Sequence, residues 1–134
     1  MKIVIDTNLL VAGYFNKKSA SRKILEMIFQ NKIQLLWTQD IRKEMVKIVR
    51  NIKARPKFQD AINKIFKKEN QVFPRFRIKE IKDDPQDNKF LEAAFFGKAH
   101  LIVSQDKDLL KLKNFKGILI LPPRKALQRL RESF

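Results

Sequence analysis

Residues 84–110 of this chain read DPQDNKFLEAAFFGKAHLIVSQDKDLL, and this stretch predicts a helix followed by a buried strand. Asp84 is a favourable N-cap, Pro85 suits the first helical position, and Gly97 marks the expected end of the helix. The apolar run Leu101 to Ser104 has the length and composition of a buried strand. A strand bordered by helical segments is typical of a parallel sheet covered by helices.

The same alternation of short apolar runs and helical patterns extends to both ends of the chain. Helical spacing of apolar residues behind a polar cap predicts most of the helices, with Ser19 as the cap of helix 19–30 and Thr38 as the cap of helix 39–51. The segment 72–78 is left unassigned because Pro74 interrupts it. The predicted strands are 2–5, 34–37, 101–104 and 118–121, and the predicted helices are 19–30, 39–51, 57–69, 84–96, 108–112 and 124–133. We therefore predict an α/β fold, a three-layer α/β/α sandwich with a mostly parallel central sheet.

Length and composition favour a single domain over residues 1–134. A chain of 134 residues suits one hydrophobic core, and a hydrophobic content of 44% excludes a disordered chain. Cysteine is absent and His100 is the only histidine, which excludes disulfide scaffolds, thiol catalysis and multi-histidine metal sites within one chain. No signal segment or transmembrane run is visible, so we expect a cytoplasmic protein without membrane association.

The charge is strongly asymmetric, since 30 Lys and Arg against 14 Asp and Glu give a net charge of +16. Such a surface attracts polyanions, and nucleic acid is the expected partner. Charge alone would also suit an anionic membrane, an acidic protein or a basic surface without a specific partner. Three lysines are predicted on the polar side of helix 57–69, and two arginines flank Phe76. These candidate nucleic-acid contacts are Lys64, Lys67, Lys68, Arg75 and Arg77.

Acidic residues follow the predicted strands at one edge of the sheet. Asp6 directly follows the first strand and Asp106 lies two residues beyond the third, whereas Glu44 and Asp87 lie beside the buried faces of their helices. In parallel sheets, ligands bind outside the carboxyl ends of the strands. Carboxylates beside a core repel one another unless a cation binds, and Mg²⁺ and Mn²⁺ prefer oxygen ligands. The four acids together therefore predict a site for one or two of these ions.

Each acid taken alone also has a purely structural interpretation. Asp6 could begin a turn, Asp87 could complement the helix dipole, and Glu44 could pair with a neighbouring lysine. Asp106 and Asp108 could cap the short helix that follows them. Only the convergence of the acids at one edge of the sheet favours a function.

Three segments of the chain resemble PIN-domain nucleases. The segment 4–8, VIDTN, resembles the opening strand of that family, and 84–94 and 102–110 resemble the C-terminal half of a bacterial and archaeal subgroup. That subgroup is described as toxin components of toxin–antitoxin pairs. The resemblance implies a metal-dependent ribonuclease that uses Mg²⁺ or Mn²⁺ to hydrolyse RNA, with an antitoxin protein and a second copy of the chain as expected partners.

The resemblance also implies roles for individual residues. The family's four acids, as catalytic residues and metal ligands, fall on Asp6, Glu44, Asp87 and Asp106. Three supporting polar positions fall on Asn8, Ser104 and Asp108. The implied mechanism is in-line attack of water on phosphorus, without a nucleophile from the protein.

Three other functions compete with this interpretation. The chain could be a PIN-like module that binds nucleic acid or protein without cutting, or a DNA-directed nuclease of flap type. It could also be an aspartate-based phosphohydrolase, because such enzymes have an Asp at the end of the first strand. They usually carry a second Asp two positions later, where this chain has Asn8.

Overall fold

A five-stranded sheet forms the centre of residues 1–133, the part of the chain that the computed structural model describes. The strand order is β2-β1-β3-β5-β4, and only β4 is antiparallel to its neighbour. The strands are β1 (Lys2–Ile5), β2 (Gln34–Leu35), β3 (Leu101–Val103), β4 (Asn114–Phe115) and β5 (Ile118–Leu121). The helices are α1 (Asn8–Phe15), α2 (Ala20–Phe29), α3 (Gln39–Asn51), α4 (Pro56–Asn63), α5 (Asn88–Gly97), α6 (Lys107–Leu110) and α7 (Pro123–Glu132). The predicted fold class is confirmed.

The order of the strands determines where the helices lie. The chain crosses from β1 to β2 in one direction and from β2 back over β1 to β3 in the other. Because crossovers between parallel strands are right-handed, α1 and α2 cover one face of the sheet, and α3 and α5 cover the opposite face. Helix α4 contacts α3 and also packs against α1 and α2, since the Phe58 ring meets Tyr14 and Phe29. Helix α7 joins the first face, where it contacts α2 and β3. The connections that leave β1 and β3 run in opposite directions, so the carboxyl ends of these two strands form the switch point of the sheet.

The structure confirms two predicted helix caps. The Ser19 hydroxyl accepts the Arg22 N–H at the start of α2, and the Thr38 hydroxyl accepts the Ile41 N–H at the start of α3. Each bond satisfies one of the backbone donors that the first turn of a helix leaves free. None of the helices within residues 1–133 is both long enough and apolar enough to cross a membrane.

The prediction of one continuous helix over 57–69 is wrong, because α4 ends six residues earlier and a separate 3-10 turn spans Lys68–Asn70. The Trp37 indole N–H donates to the Lys67 carbonyl at 2.8 Å, and the Trp37 ring packs edge-on against Phe66. These contacts draw the chain toward β2 and off the helical path. The three lysines predicted to share one helix face therefore do not share it: Lys64, Lys67 and Lys68.

Two glycines allow secondary-structure elements to approach closely. A Cβ at Gly13 would lie 2.6 Å from Leu25 Cδ1, where α1 packs against α2. A Cβ at Gly97 would lie 2.7 Å from Val72 Cγ2, so this residue serves packing as well as the end of α5. The left-handed residue after α5 is Lys98, with φ of 57°.

Candidate active site

Five carboxylates gather at the switch point of the sheet. They come from the ends of β1 and β3, from α3 and from the turn that begins α5: Asp6, Asp106, Glu44, Asp84 and Asp87. Pairing between the central strands continues to this edge, since the Asp6 N–H donates to the Val103 carbonyl at 2.9 Å. The four acids selected from the sequence thus reach one region of the fold, together with Asp84.

A buried serine connects the acids that follow the two central strands. The Ser104 hydroxyl donates to Asp6 Oδ2 at 2.8 Å and accepts the Asp106 N–H at 2.9 Å. The Asn8 N–H donates to Asp6 Oδ1 at 3.2 Å, and the Asp108 N–H donates to Asp106 Oδ1 at 2.7 Å. Asn8 and Asp108 therefore orient the two acids through their backbone groups.

Three of the aspartates form the tightest part of the site. One carboxylate oxygen each from Asp84, Asp87 and Asp106 lies within 4.8 Å of the other two. Asp87 is only 7% exposed, and its Oδ2 atom is buried without a hydrogen-bond partner. A buried oxygen acceptor without a partner carries its full desolvation cost. A bound cation would remove that cost at this position.

Burial raises the pKa of two of these acids. For Asp87, burial is the largest cause, the negative charges of Asp106 and Asp84 add to it, and the pKa rises from 3.8 to about 7. Burial also raises the pKa of Asp6, although the hydrogen bond from Ser104 opposes this increase. Closely spaced carboxylates hold protons in this way until an opposite charge favours the ionised form.

Glu44 approaches the aspartates from α3. The Thr7 hydroxyl donates to Glu44 Oε2 at 2.7 Å, and this bond fixes the glutamate beside the end of β1. The Lys89 ammonium lies 3.1 Å from the same oxygen. The negative charge of Glu44 contributes to the raised pKa of Asp6, so the two acids are neighbours.

Comparison with known proteins agrees with this geometry. The model of the PIN domain matches residues 2–108 of the chain. This chain belongs to the PIN-domain family. It is also 31% identical over 121 residues to an uncharacterized protein of Methanocaldococcus jannaschii, an alignment that covers 85% of this chain and 76% of the relative. PIN domains are generally nucleases and usually use divalent metals.

The site of this PIN domain fits a divalent metal. The three clustered aspartates would supply only oxygen ligands, which hard cations such as Mg²⁺ and Mn²⁺ prefer. The chain's single histidine, His100, lies at the amino end of β3, where its Nδ1 accepts the Lys2 N–H. The unpartnered oxygen of Asp87 is the specific atom that a cation would satisfy.

The predicted nucleic-acid contacts are not all near the carboxylates. Lys64 and Lys67 line a cavity of about 480 Å³ with Gln34 at the amino end of β2, which is the opposite end of the sheet from Asp6. Arg77 is the exception, because it lies beside α3 and α5, where it pairs with acids of both helices. Lys68 and Arg75 are exposed. Arg77 is therefore the predicted contact that lies beside the two helices of the site.

Sequence reasoning overlooked three residues of the site. The sequence predicts Asp84 only as an N-cap, and the structure confirms this cap, since Asp84 accepts the Gln86 N–H. Its position three residues before Asp87 could have revealed it, because residues three apart share one side of a helical turn. Thr7 and Lys89 had no comparable signal, because their contact with Glu44 depends on how α3 and α5 pack.

Asn88 holds the loop that carries Asp84. Its side chain accepts the Ile81 N–H and donates to the Ile81 carbonyl, each at 2.9 Å, and the bonds are buried. We expect Asn88→Ala to lower the free energy of unfolding by about 2 kcal/mol, because two buried backbone groups lose their partners. Urea denaturation measures this change. The exposed control Asn63→Ala should cost less than about 0.5 kcal/mol, and equal losses in both variants would contradict the role of Asn88.

Proposed function

We propose that this PIN domain is a ribonuclease that hydrolyses RNA phosphodiester bonds with Mg²⁺ or Mn²⁺ at the aspartate cluster. The observation that carries the proposal is the buried, unpartnered Oδ2 atom of Asp87 among three carboxylates. A structural role as a helix cap would not explain this oxygen, because a cap is satisfied by backbone donors. The net charge of +16 supports a polyanionic substrate.

The residues of the site divide the chemical work between them. Asp84, Asp87 and Asp106 would hold the ion, which when bound neutralises charge on the phosphodiester and lowers the pKa of water. Ser104 holds Asp6 toward the cluster through its hydroxyl. Ser104 is fully buried and Thr7 is 4% exposed, so neither hydroxyl is accessible to a substrate. Water is therefore the attacking group in this proposal.

The decisive experiment is cleavage of labelled single-stranded RNA and of DNA with the same sequence. Each strand is incubated with purified protein in Mg²⁺, in Mn²⁺ and in chelator, beside the double variant Asp6→Asn, Asp87→Asn purified in the same way. We expect cleavage of RNA that requires metal and is absent in the double variant. Cleavage of DNA alone would support the flap-type alternative, and RNA binding without cleavage by either protein would support the binding module.

We further propose that the protein is the toxin of a toxin–antitoxin pair, acts in the cytoplasm and forms a homodimer. The support is the resemblance of segments 84–94 and 102–110 to such toxins. The same double variant provides the test, since only the active protein should arrest growth when it is expressed in a bacterial host. Co-expression of a small gene adjacent to this one should restore growth, and sedimentation should give twice the mass of 15.9 kDa.

A further inference from the structure

The only ion pair of Glu44 within residues 1–133 involves a lysine that is itself largely buried. The Lys89 side chain is 12% exposed, and that of Glu44 is 39% exposed. The Lys89 ammonium also lies 5.5 Å from the centre of the Phe90 ring. An ammonium in such surroundings requires a counterion, and Glu44 supplies it. The Oε2 atom of Glu44 already accepts the Thr7 hydroxyl and pairs with the Lys89 ammonium. Glu44 therefore differs from the three clustered aspartates, to which it does not belong.

A groove of about 700 Å³ leads away from this ion pair between α3 and α5. Its charged lining residues are Lys43, Lys47, Arg77, Lys79 and Lys89 with Asp40, Glu44 and Glu92. Arg77 pairs with Asp40 and Glu92, and Lys89 pairs with Glu44. The remaining three lysines form no ion pair with any residue between 1 and 133: Lys43, Lys47 and Lys79.

The groove therefore offers three unneutralised ammonium groups, and it reaches the site at Glu44 and at the residues on either side of Asp87, Gln86 and Asn88. A lysine ammonium has three donors and acts as a point charge toward phosphate oxygens. One N–H of the Lys89 ammonium points to Glu44, and the other two N–H groups can donate to a second acceptor. Several cations along one groove suit the repeated phosphates of a strand better than they suit a single small anion.

We propose that this groove binds the phosphodiester backbone of an RNA strand beside the bond that is cut, and that Lys89 is its innermost phosphate contact. In this arrangement Glu44 positions Lys89 and is not a ligand of the metal. The inference rests on the proposed function, since it identifies the path of the substrate into the same site. It replaces Lys64 and Lys67 with the lysines of α3 and α5 as the main contacts.

Binding of labelled RNA in chelator tests the groove without any cleavage. We compare the wild type with Lys89→Met, with the double variant Lys43→Met, Lys47→Met, and with Lys125→Met on α7 as a matched control on the other face of the sheet. We expect about 5-fold to 10-fold weaker binding in the groove variants and a salt dependence reduced by roughly one for each lysine removed. The control should change by less than about 2-fold, and equal affinities in all four proteins would overturn the proposal.

Calorimetric titration with Mn²⁺ tests the role assigned to Glu44. We expect Glu44→Gln to bind the metal within about 3-fold of the wild type, whereas Asp87→Asn should lose at least about 30-fold. Equal losses in both variants would make Glu44 a ligand and overturn that role. If the groove variants bind RNA more weakly but the wild type does not cleave RNA, the proposed function is contradicted and this inference stands. If the wild type cleaves RNA and the groove variants bind it with wild-type affinity, this inference is contradicted and the proposed function stands.

Discussion

Asp87→Asn will reduce RNA cleavage by about 10³-fold or more and will at the same time stabilise the metal-free protein at pH 8. The loss of activity follows because the substitution removes a carboxylate from the cluster of Asp84, Asp87 and Asp106. The gain in stability follows because burial and the neighbouring charges raise the pKa of Asp87 from 3.8 to about 7. At pH 8 the wild type must ionise this carboxyl at a cost that the neutral amide avoids.

The sign of the stability change follows from linkage. An acid whose pKa is raised on folding stabilises the folded state below its unfolded pKa, and that contribution is lost as the pH rises through the folded value. For Asp87 the loss falls between about pH 4 and pH 7. At about 1.4 kcal/mol per pKa unit, the rise from 3.8 to about 7 corresponds to at most about 4 kcal/mol. Solvent screening at the edge of the sheet reduces this value, and we expect the variant to gain about 2 kcal/mol at pH 8. Thermal unfolding in chelator should show this gain as an increase of roughly 6 °C in the midpoint.

The matched control for this prediction is Asp83→Asn, which changes an exposed acid one residue from Asp84. Both cleavage and thermal midpoint should stay close to those of the wild type. If Asp87→Asn cleaved RNA within ten-fold of the wild type, Asp87 could not be a metal ligand in the way proposed. If it lowered the midpoint at pH 8, its carboxylate would be stabilised in the fold by contacts other than those described.

Much of the fold could be predicted because its signals are local. The strands β1 and β3 are short apolar runs. Ser19 and Thr38 are predictable as caps because a hydroxyl side chain before a helix can accept a backbone N–H of its first turn. Helix α1 escaped prediction because its apolar residues surround the axis instead of forming a stripe. The β4–β5 hairpin was not predicted, because one of its two left-handed turn residues is Lys116, at a position where glycine or asparagine is usual.

The candidate site was predictable where residues follow strands and not where helices meet. Asp6 and Asp106 could be placed because parallel strands bring their carboxyl ends to one edge. The surroundings of Glu44 could not be predicted, since its contact with Lys89 depends on how α3 packs against α5. The basic residues illustrate the same limit, because net charge predicts a polyanion but does not locate the surface that binds it.

The second large effect is a metal-induced stabilisation that depends strongly on pH. At pH 8 we expect Mg²⁺ at one hundred times its dissociation constant to add about 2.7 kcal/mol to the free energy of unfolding. At pH 5 the same concentration should add very little, because Asp87 is protonated and must lose its proton before it can bind. With a pKa of about 7, this competition weakens the apparent affinity at pH 5 by roughly 100-fold.

Thermal unfolding with Mg²⁺ and with chelator at both pH values measures this difference, and Asp87→Asn is the control that should show little stabilisation at either. Calorimetric titration in buffers of different ionisation enthalpy should detect close to one proton released per ion at pH 6 and much less at pH 8. A stabilisation of equal size at pH 5 and pH 8 would mean that the ion binds without displacing the proton of Asp87. Ionisation of the buried Asp87 carboxyl lowers the stability of the metal-free protein as the pH rises, and the bound ion restores that stability over the same range. The proton that stabilises the metal-free protein is therefore the one that metal binding must displace.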